Sequence, residues 1–332
     1  MDHHTNNCQI LWELTPQHTA RLLRIYGCTP SASVPDFIGG YPVTELGSYC
    51  FAKDCRLPQQ YETYEASGGR SYAVTELSGN YIESVFLPDS LVKIHDYAFY
   101  NCRNLKQIRF GNHLTWIGSD AFMNCHQLQQ LYIRCSVSDK TCLRQILAQI
   151  SWDAEVSFYS GRQQDTDCIE TSIFYPEYYE TYDEIAPAHV FGRQIVGEGF
   201  RARQAFKDGI IDFTQYDEIF QKASAEESEQ TMCRILLCRL HYPAGLSPDK
   251  KSQYENYVQA HGRFLSQWLV KNRQLESLMF LIQSQLLLLH DIQAACEYAA
   301  QSGWGEGNAA IMHWLGQYQK ISQNTRYDFD SF

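Results

Sequence analysis

Along residues 82–127 apolar side chains return at fixed intervals. Ile82, Val85, Leu87, Leu91, Ile94, Ala98 and Phe99 superpose one by one on Leu105, Ile108, Phe110, Leu114, Ile117, Ala121 and Phe122, a period of 23 residues. In this frame IHDYAFYNC at 94–102 meets IGSDAFMNC at 117–125, so Asn101-Cys102 and Asn124-Cys125 fall at the same step. Matched apolar positions plus a shared turn predict stacked coils, each supplying a short strand whose inward side chains only the next coil covers. A buried large side chain stabilises by about 1.5–3 kcal/mol only when that cover is in place, so one coil alone is not expected to fold.

A third copy begins at Leu128, Leu131, Ile133 and Val137, then fails where Lys140 takes the isoleucine slot, and the solenoid is expected to end there. DKTCLRQILAQI at 139–150 has apolar residues at helical spacing, and WDAEVSFY reads as a last strand; together they predict a cap. Upstream, VTELGSYCF at 43–51 matches LTWIGSDAF at 114–122, and Val43 precedes Leu91 by 48 residues, two periods plus two. A degenerate coil with an insertion is therefore expected in between. The insertion, QQYETYEASGGRS at 59–71, is too polar for a core and predicts an exposed loop.

LPDSLVKIHDYAFYNCRNLKQI resembles the BspA-like class of leucine-rich repeats, known from bacteria and some protists. The resemblance covers residues 34–134, and VPDFIGGYPVTELGSYCF is similar to the opening coil of that class. Cys50 in the alanine slot, His95 in the glycine slot and the insertion depart from its pattern. The resemblance implies a binding or adhesion module with no catalytic residue, often secreted.

Side chains between the inward positions of a strand face outward. In successive coils these are Ser84 and Phe86, Gln107 and Arg109, Gln130 and Tyr132. Phe86, Arg109 and Tyr132 are thereby expected to line up on one sheet face. Aromatics and arginine are enriched at binding hot spots; the competing reading is that they cover the sheet or meet a second domain.

Beyond residue 160 the composition changes. Between Arg162 and Arg193 there is no Lys or Arg, while acids gather around Tyr175, Glu177, Tyr178, Tyr179, Glu180 and Tyr182. This stretch predicts either an acidic aromatic patch for a basic partner or an interdomain seam, and Arg201, Arg203 and Lys207 just downstream could pair with its acids. GRQIVGEGF at 192–200 lacks the spacing of either phosphate-binding glycine loop. From Tyr216 the pattern is helical: one segment ends at Pro243, another starts at Ser247-Pro248, and breaks at Ser284-Gln285 and Gly303 to Gly307 suit paired helices. Leu275 to Gln319 is similar to ankyrin-type helical hairpins, without the TPLHxA signature.

The expected architecture is thus α+β and multidomain: a leucine-rich-repeat solenoid with caps over 1–160, an acidic-aromatic connecting segment over 161–215, and an all-helical domain over 216–332. The net charge of −11 opposes the phosphate backbone and argues against nucleic acid. No apolar run approaches the roughly 20 residues of a membrane span, and MDHHTNNCQILW lacks the basic start and long apolar stretch of an export signal. A cytoplasmic location is expected. The 12 cysteines lack metal-site or redox spacing and read as reduced thiols, so no metal or cofactor is expected. Cys233, Cys238 and His241 share a helical stretch, but leucines flank them and they read as core. The function expected is a non-enzymatic interaction scaffold with an unknown protein or peptide as partner. The alternatives are a surface adhesin or glycan binder using the same aromatics, and an enzyme with its site in the helical half.

Overall fold

A computed structural model describes residues 9–53, 57–65, 74–160, 169–185 and 190–327. The chain forms two compact units, Met1–Ala223 and Ser224–Phe332. The first is a β-solenoid with two sheets facing a common core. One sheet holds β1 (Gln9–Leu14), β2 (Ala20–Gly27), β4 (Phe37–Ile38), β5 (Tyr41–Leu46), β6 (Glu62–Glu65), β7 (Thr75–Glu76), β9 (Lys93–Ile94) and β11 (Trp116–Ile117). The other runs from β3 (Ser31–Ser33) through β8 (Ser84–Phe86), β10 (Gln107–Gly111), β12 (Gln130–Arg134) and β13 (Ala154–Tyr159) to β14 (Ile169–Tyr175).

The repeated phrase is the joint between coils. Phe51, Phe99 and Phe122 are fully buried and stack in turn, with ring centroids 4.9 and 5.2 Å apart and interplanar angles of 5° and 8°. The asparagines hold the turn: Asn101 (φ 60°) and Asn124 (φ 64°) take the left-handed conformation that Asn tolerates better than most residues. Asn124 Nδ2 donates to Asn101 Oδ1 at 2.8 Å, linking one turn to the next. The cysteines bury small thiols that donate back one coil, Cys102 to Phe51 O at 3.2 Å and Cys125 to Phe99 O at 3.0 Å.

The 48-residue offset upstream is one coil step, not two. Glu45 lies opposite Lys93 and Leu46 opposite Ile94 in direct parallel pairing, and Phe51 rests on Phe99. No intermediate coil intervenes. The polar segment expected as a loop has no apolar set to fill a coil, so the chain leaves the stack after Lys53. Glu62–Glu65 then forms β6, an antiparallel edge strand on β1, and β7 returns against β2. Residues 66–71 of the expected loop lie outside the described residues.

At the other end, α1 (Leu143–Leu147) buries Leu143, Ile146 and Leu147 and closes the core as expected. It also completes the edge of β11. Gln145 accepts from Ile117 N at 3.0 Å and donates to Thr115 O at 3.1 Å; Gln149 donates to Gly118 O at 2.8 Å. The second sheet continues one strand further, with β13 parallel to β12 and β14 antiparallel to β13.

The segment expected as a connector belongs to the first unit. β14 is the last strand of the second sheet, and β15 (Tyr179–Ile185) pairs with β16 (Val190–Val196) as a separate hairpin. α2 (Gly199–Ala202), the short ribbon of β17 (Phe206–Lys207) and β18 (Ile210–Ile211), and α3 (Phe213–Asp217) follow. Tyr216 and Ile219 join the same core, and Tyr216 donates to Phe174 O, which carries the unit past residue 216. Among the described residues Arg203 forms no ion pair with those acids. It is buried, and donates to Ile150 O (3.1 Å), Trp152 O (2.6 Å), Gly199 O (3.0 Å) and Pro176 O. Burial lowers its pKa to about 10. Within 192–200, Gly199 serves packing: a Cβ on it would lie 2.0 Å from Pro176 O.

The helices beyond are α4 (Phe220–Glu226), α5 (Glu229–His241), α6 (Pro248–Lys271), α7 (Leu275–Gln283), α8 (Leu289–Gln301) and α9 (Gly305–Tyr327). Ser228 and Ser247 cap α5 and α6, accepting from Thr231 N and Lys250 N. α6 packs on α5, α7 and α8, and α8 on α9. At His261 (φ −116°, ψ 16°) α6 kinks; beside it, glycine at 262 leaves room for the buried Asp291, whose Oδ2 would lie 2.5 Å from a Cβ.

On the first sheet Glu45 is nearly buried and gathers Arg21 Nε (2.7 Å), His95 Nε2 (2.8 Å) and Lys93 Nζ (3.8 Å), while Arg21 also holds Glu13 at 2.7 Å. Burial alone would raise the Glu45 pKa, but the hydrogen bonds from His95 and Arg21 outweigh it and hold the carboxyl below the ordinary range. A lowered folded-state pKa contributes stability that is present above the unfolded carboxylate pKa and lost as pH falls through the folded value.

Three outcomes follow in solution. Phe99→Ala, which opens the middle of the ring stack, should cost about 3–5 kcal/mol in urea unfolding. Arg203→Met should cost about 3 kcal/mol or more in the same assay, because it strands several carbonyls. Glu45→Gln should flatten the decline of the urea midpoint between neutral and acid pH; an unchanged slope would remove Glu45 as its source.

Candidate interaction surface

Parallel pairing in register places the outward positions of three coils side by side. Gln107 lies opposite Ser84 and Gln130, and Arg109 lies opposite Phe86 and Tyr132. Val85, Ile108, Phe110, Leu131 and Ile133 between them are buried, so the alternation fixes which side chains emerge. The guanidinium carbon of Arg109 sits 4.9 Å from the centroid of Phe86 and 4.9 Å from that of Tyr132. An arginine held over ring faces on both sides gains cation–π attraction and loses rotamer freedom.

All three are half-buried, as are Ser84 and Gln107, while Gln130 is exposed and accepts from Tyr132 OH at 3.2 Å. Arg109 Nε is buried and meets no acceptor among the described residues. Burial pushes the Tyr132 phenol up and Glu155 adds to this, while the Arg109 charge opposes them. At one end, Arg134 forms an ion pair with Asp89. Towards β14 the face closes: Ser157, Ser172 and Phe174 are buried, and Ser172 donates to Glu155 at 2.9 Å. Sequence alternation identifies the six positions but not this closure, which depends on the antiparallel return of β14.

The acidic-aromatic patch is not one surface. Tyr175 is fully buried beside Phe206 and Tyr216, so it is core and unavailable to a partner; as the last residue of β14, it turns inward. Tyr178 is half-buried, 5.2 Å under Arg203 and edge-on to Phe200. Glu177, Tyr179, Glu180 and Tyr182 are exposed on or next to the hairpin, with Glu180 paired to Arg193 and accepting from Tyr182 OH at 3.1 Å.

In the helical unit Cys233 is buried, and burial pushes its thiol up to about 12, which keeps it protonated at neutral pH. His241 stacks on Phe280 at 4.3 Å and on Tyr242 at 4.6 Å. Among the described residues no group of His, Cys, Asp or Glu side chains is arranged to hold a metal, and no helix is long and apolar enough to cross a membrane.

The BspA type leucine rich repeat region matches residues 73–150 in six copies. The match starts later than the resemblance at 34–134 and runs on through the capping helix. Among solved structures, the chain is similar to a leucine-rich repeat protein from Bacteroides capillosus, at 23% identity over 37% of this chain and 77% of that one, with a TM-score of 0.28. It is also similar to a leucine rich cell surface protein from Faecalibacterium prausnitzii, at 21% identity over 37% of this chain and 35% of that one, with a TM-score of 0.24. A leucine rich repeat protein of T. pallidum matches at 19% identity over 39% of this chain and 70% of that one, with a TM-score of 0.22. No curated protein sequence matches the chain. With stacked coils, in-register strands and this family match coinciding, residues 73–150 are a BspA-type leucine-rich repeat region.

Proposed function

We propose that Ser84, Phe86, Gln107, Arg109, Gln130 and Tyr132 form a face that captures a protein or extended peptide, making the chain a non-enzymatic interaction module. The observation that carries this reading is the clamp on Arg109: a guanidinium fixed between two rings at 4.9 Å each, on an in-register strand array. Such a group is pre-organised, and aromatic and arginine side chains supply much of the energy at interfaces. Repeat regions of this type are generally protein-interaction or surface modules. The exposed Glu177, Tyr179 and Tyr182 on and beside the hairpin provide a second contact for a basic partner.

The protonated Cys233 supports a non-enzymatic role for its helix. The use of Cys102 and Cys125 as thiol donors supports a reducing, cytoplasmic setting. The net charge of −11 supports partners other than nucleic acid.

The triple variant Phe86→Ala, Arg109→Ala, Tyr132→Ala should keep its circular dichroism while losing about 2 kcal/mol or more of binding to whatever the native chain retains in pull-down. An unchanged retention profile would remove the face from the assignment. Cell fractionation should recover the chain with cytoplasmic markers; recovery at the cell surface would favour an adhesin or glycan binder built on the same aromatics.

A further inference from the structure

Of the charged side chains on the face of β8, β10 and β12, all but one have a partner. Arg134 pairs with Asp89, and Lys106 pairs with Glu83 at 2.8 Å where β8 and β10 begin. Glu155, opposite Gln130, accepts from Ser172 Oγ at 2.9 Å. Arg109 differs. Among the described residues it forms no ion pair and no hydrogen bond, and its buried Nε is left without an acceptor.

The strand register explains why. It continues from Phe86 to Ser33 on β3 and from Tyr132 to Ser157 on β13, so the row reads Ser33, Phe86, Arg109, Tyr132, Ser157 and contains no acid. The next row, Ser31, Ser84, Gln107 and Gln130, is neutral until Glu155. Both rows lie wholly on described strands.

Phe86 and Tyr132 flank the guanidinium from opposite sides, each centroid 4.9 Å from its central carbon. The rings cover its faces and leave approach in its plane, along the N–H edge. Of its three nitrogens only Nε is buried, so the two Nη groups reach the surface. In-plane approach is the geometry in which arginine holds a carboxylate through two parallel N–H···O bonds. Apolar rings beside such a pair strengthen it above its value on an open surface. A phosphate dianion draws on several cations, whereas Arg134 is taken by Asp89; one free guanidinium matches the single charge of a carboxylate. The net charge of −11 does not oppose this, because exposed charges farther than about 8 Å are largely screened at physiological salt.

We infer that this face selects an acidic segment: an extended peptide whose internal Glu or Asp side chain lies in the plane of Arg109 between Phe86 and Tyr132, while Ser84, Gln107 and Gln130 bond its main chain. The inference rests on the reading of the face as a capture surface and gives that surface its selectivity. The test passes peptide libraries over the immobilised full chain. Each library has an amidated C-terminus and degenerate positions around one fixed central residue, which is Glu, Gln, Lys or phosphoserine. The Glu library should be retained about tenfold or more over the Gln library, as a charge-assisted pair provides, and the Lys library least. Arg109→Gln, with the melting midpoint as the check on folding, should hold the Glu and Gln libraries equally. Equal retention of Glu and Gln by the native chain, with both lost in the triple alanine variant of this face, would leave the capture surface standing and overturn its acid selectivity. A Glu preference that survives Arg109→Gln, or retention of the phosphoserine library above the Glu library, would overturn it as well. Retention of no library at all would remove the surface itself, and the selectivity with it.

Discussion

The structure depends on one constraint: the apolar interior of each coil is dry only when another coil lies on it. The ring stack of Phe51, Phe99 and Phe122 is this constraint in its barest form, because each ring is fully buried only through its neighbours. Stability is consequently shared between nearest neighbours. The turn residues answer to the same demand, since the Asn124 and Cys125 side chains bond back to the preceding coil.

From that regularity the outer face follows with no further instruction. A parallel ladder in register must bring Phe86, Arg109 and Tyr132 together, since strands 4.7–4.9 Å apart leave side chains at the same step in contact. The resulting arginine clamp is a property of the array, which no single strand holds. The arginine at 203 meets the opposite fate: it turns inward and gathers carbonyls from several segments, tying β14 and α2 to the end of the solenoid.

Local periodicity made the coil interior legible, because Phe99 and Phe122 occupy the same slot of a 23-residue phrase. The same reasoning read the outward trio, whose orientation follows from strand alternation alone. It misjudged the 48-residue offset, because an excursion out of the stack and an extra degenerate coil leave similar spacing in the chain. β6 was hidden for a different reason: its strand character comes from pairing with β1, about 50 residues upstream, and its own sequence is polar. Composition likewise grouped Tyr175 with its acidic neighbours, whereas β14 turns that ring into the core.

The glutamines at the end of the stack carry a consequence for how such arrays grow. Gln145 and Gln149 present amide groups to the backbone of β11 much as another strand would, so the free edge is already spoken for. The repeat gives out at Lys140, and two side chains then cover the strand edge it leaves. Duplicating a coil would lengthen the protein safely only if this terminator were carried along; an array deprived of it would offer a bare ribbon edge and invite polymerisation.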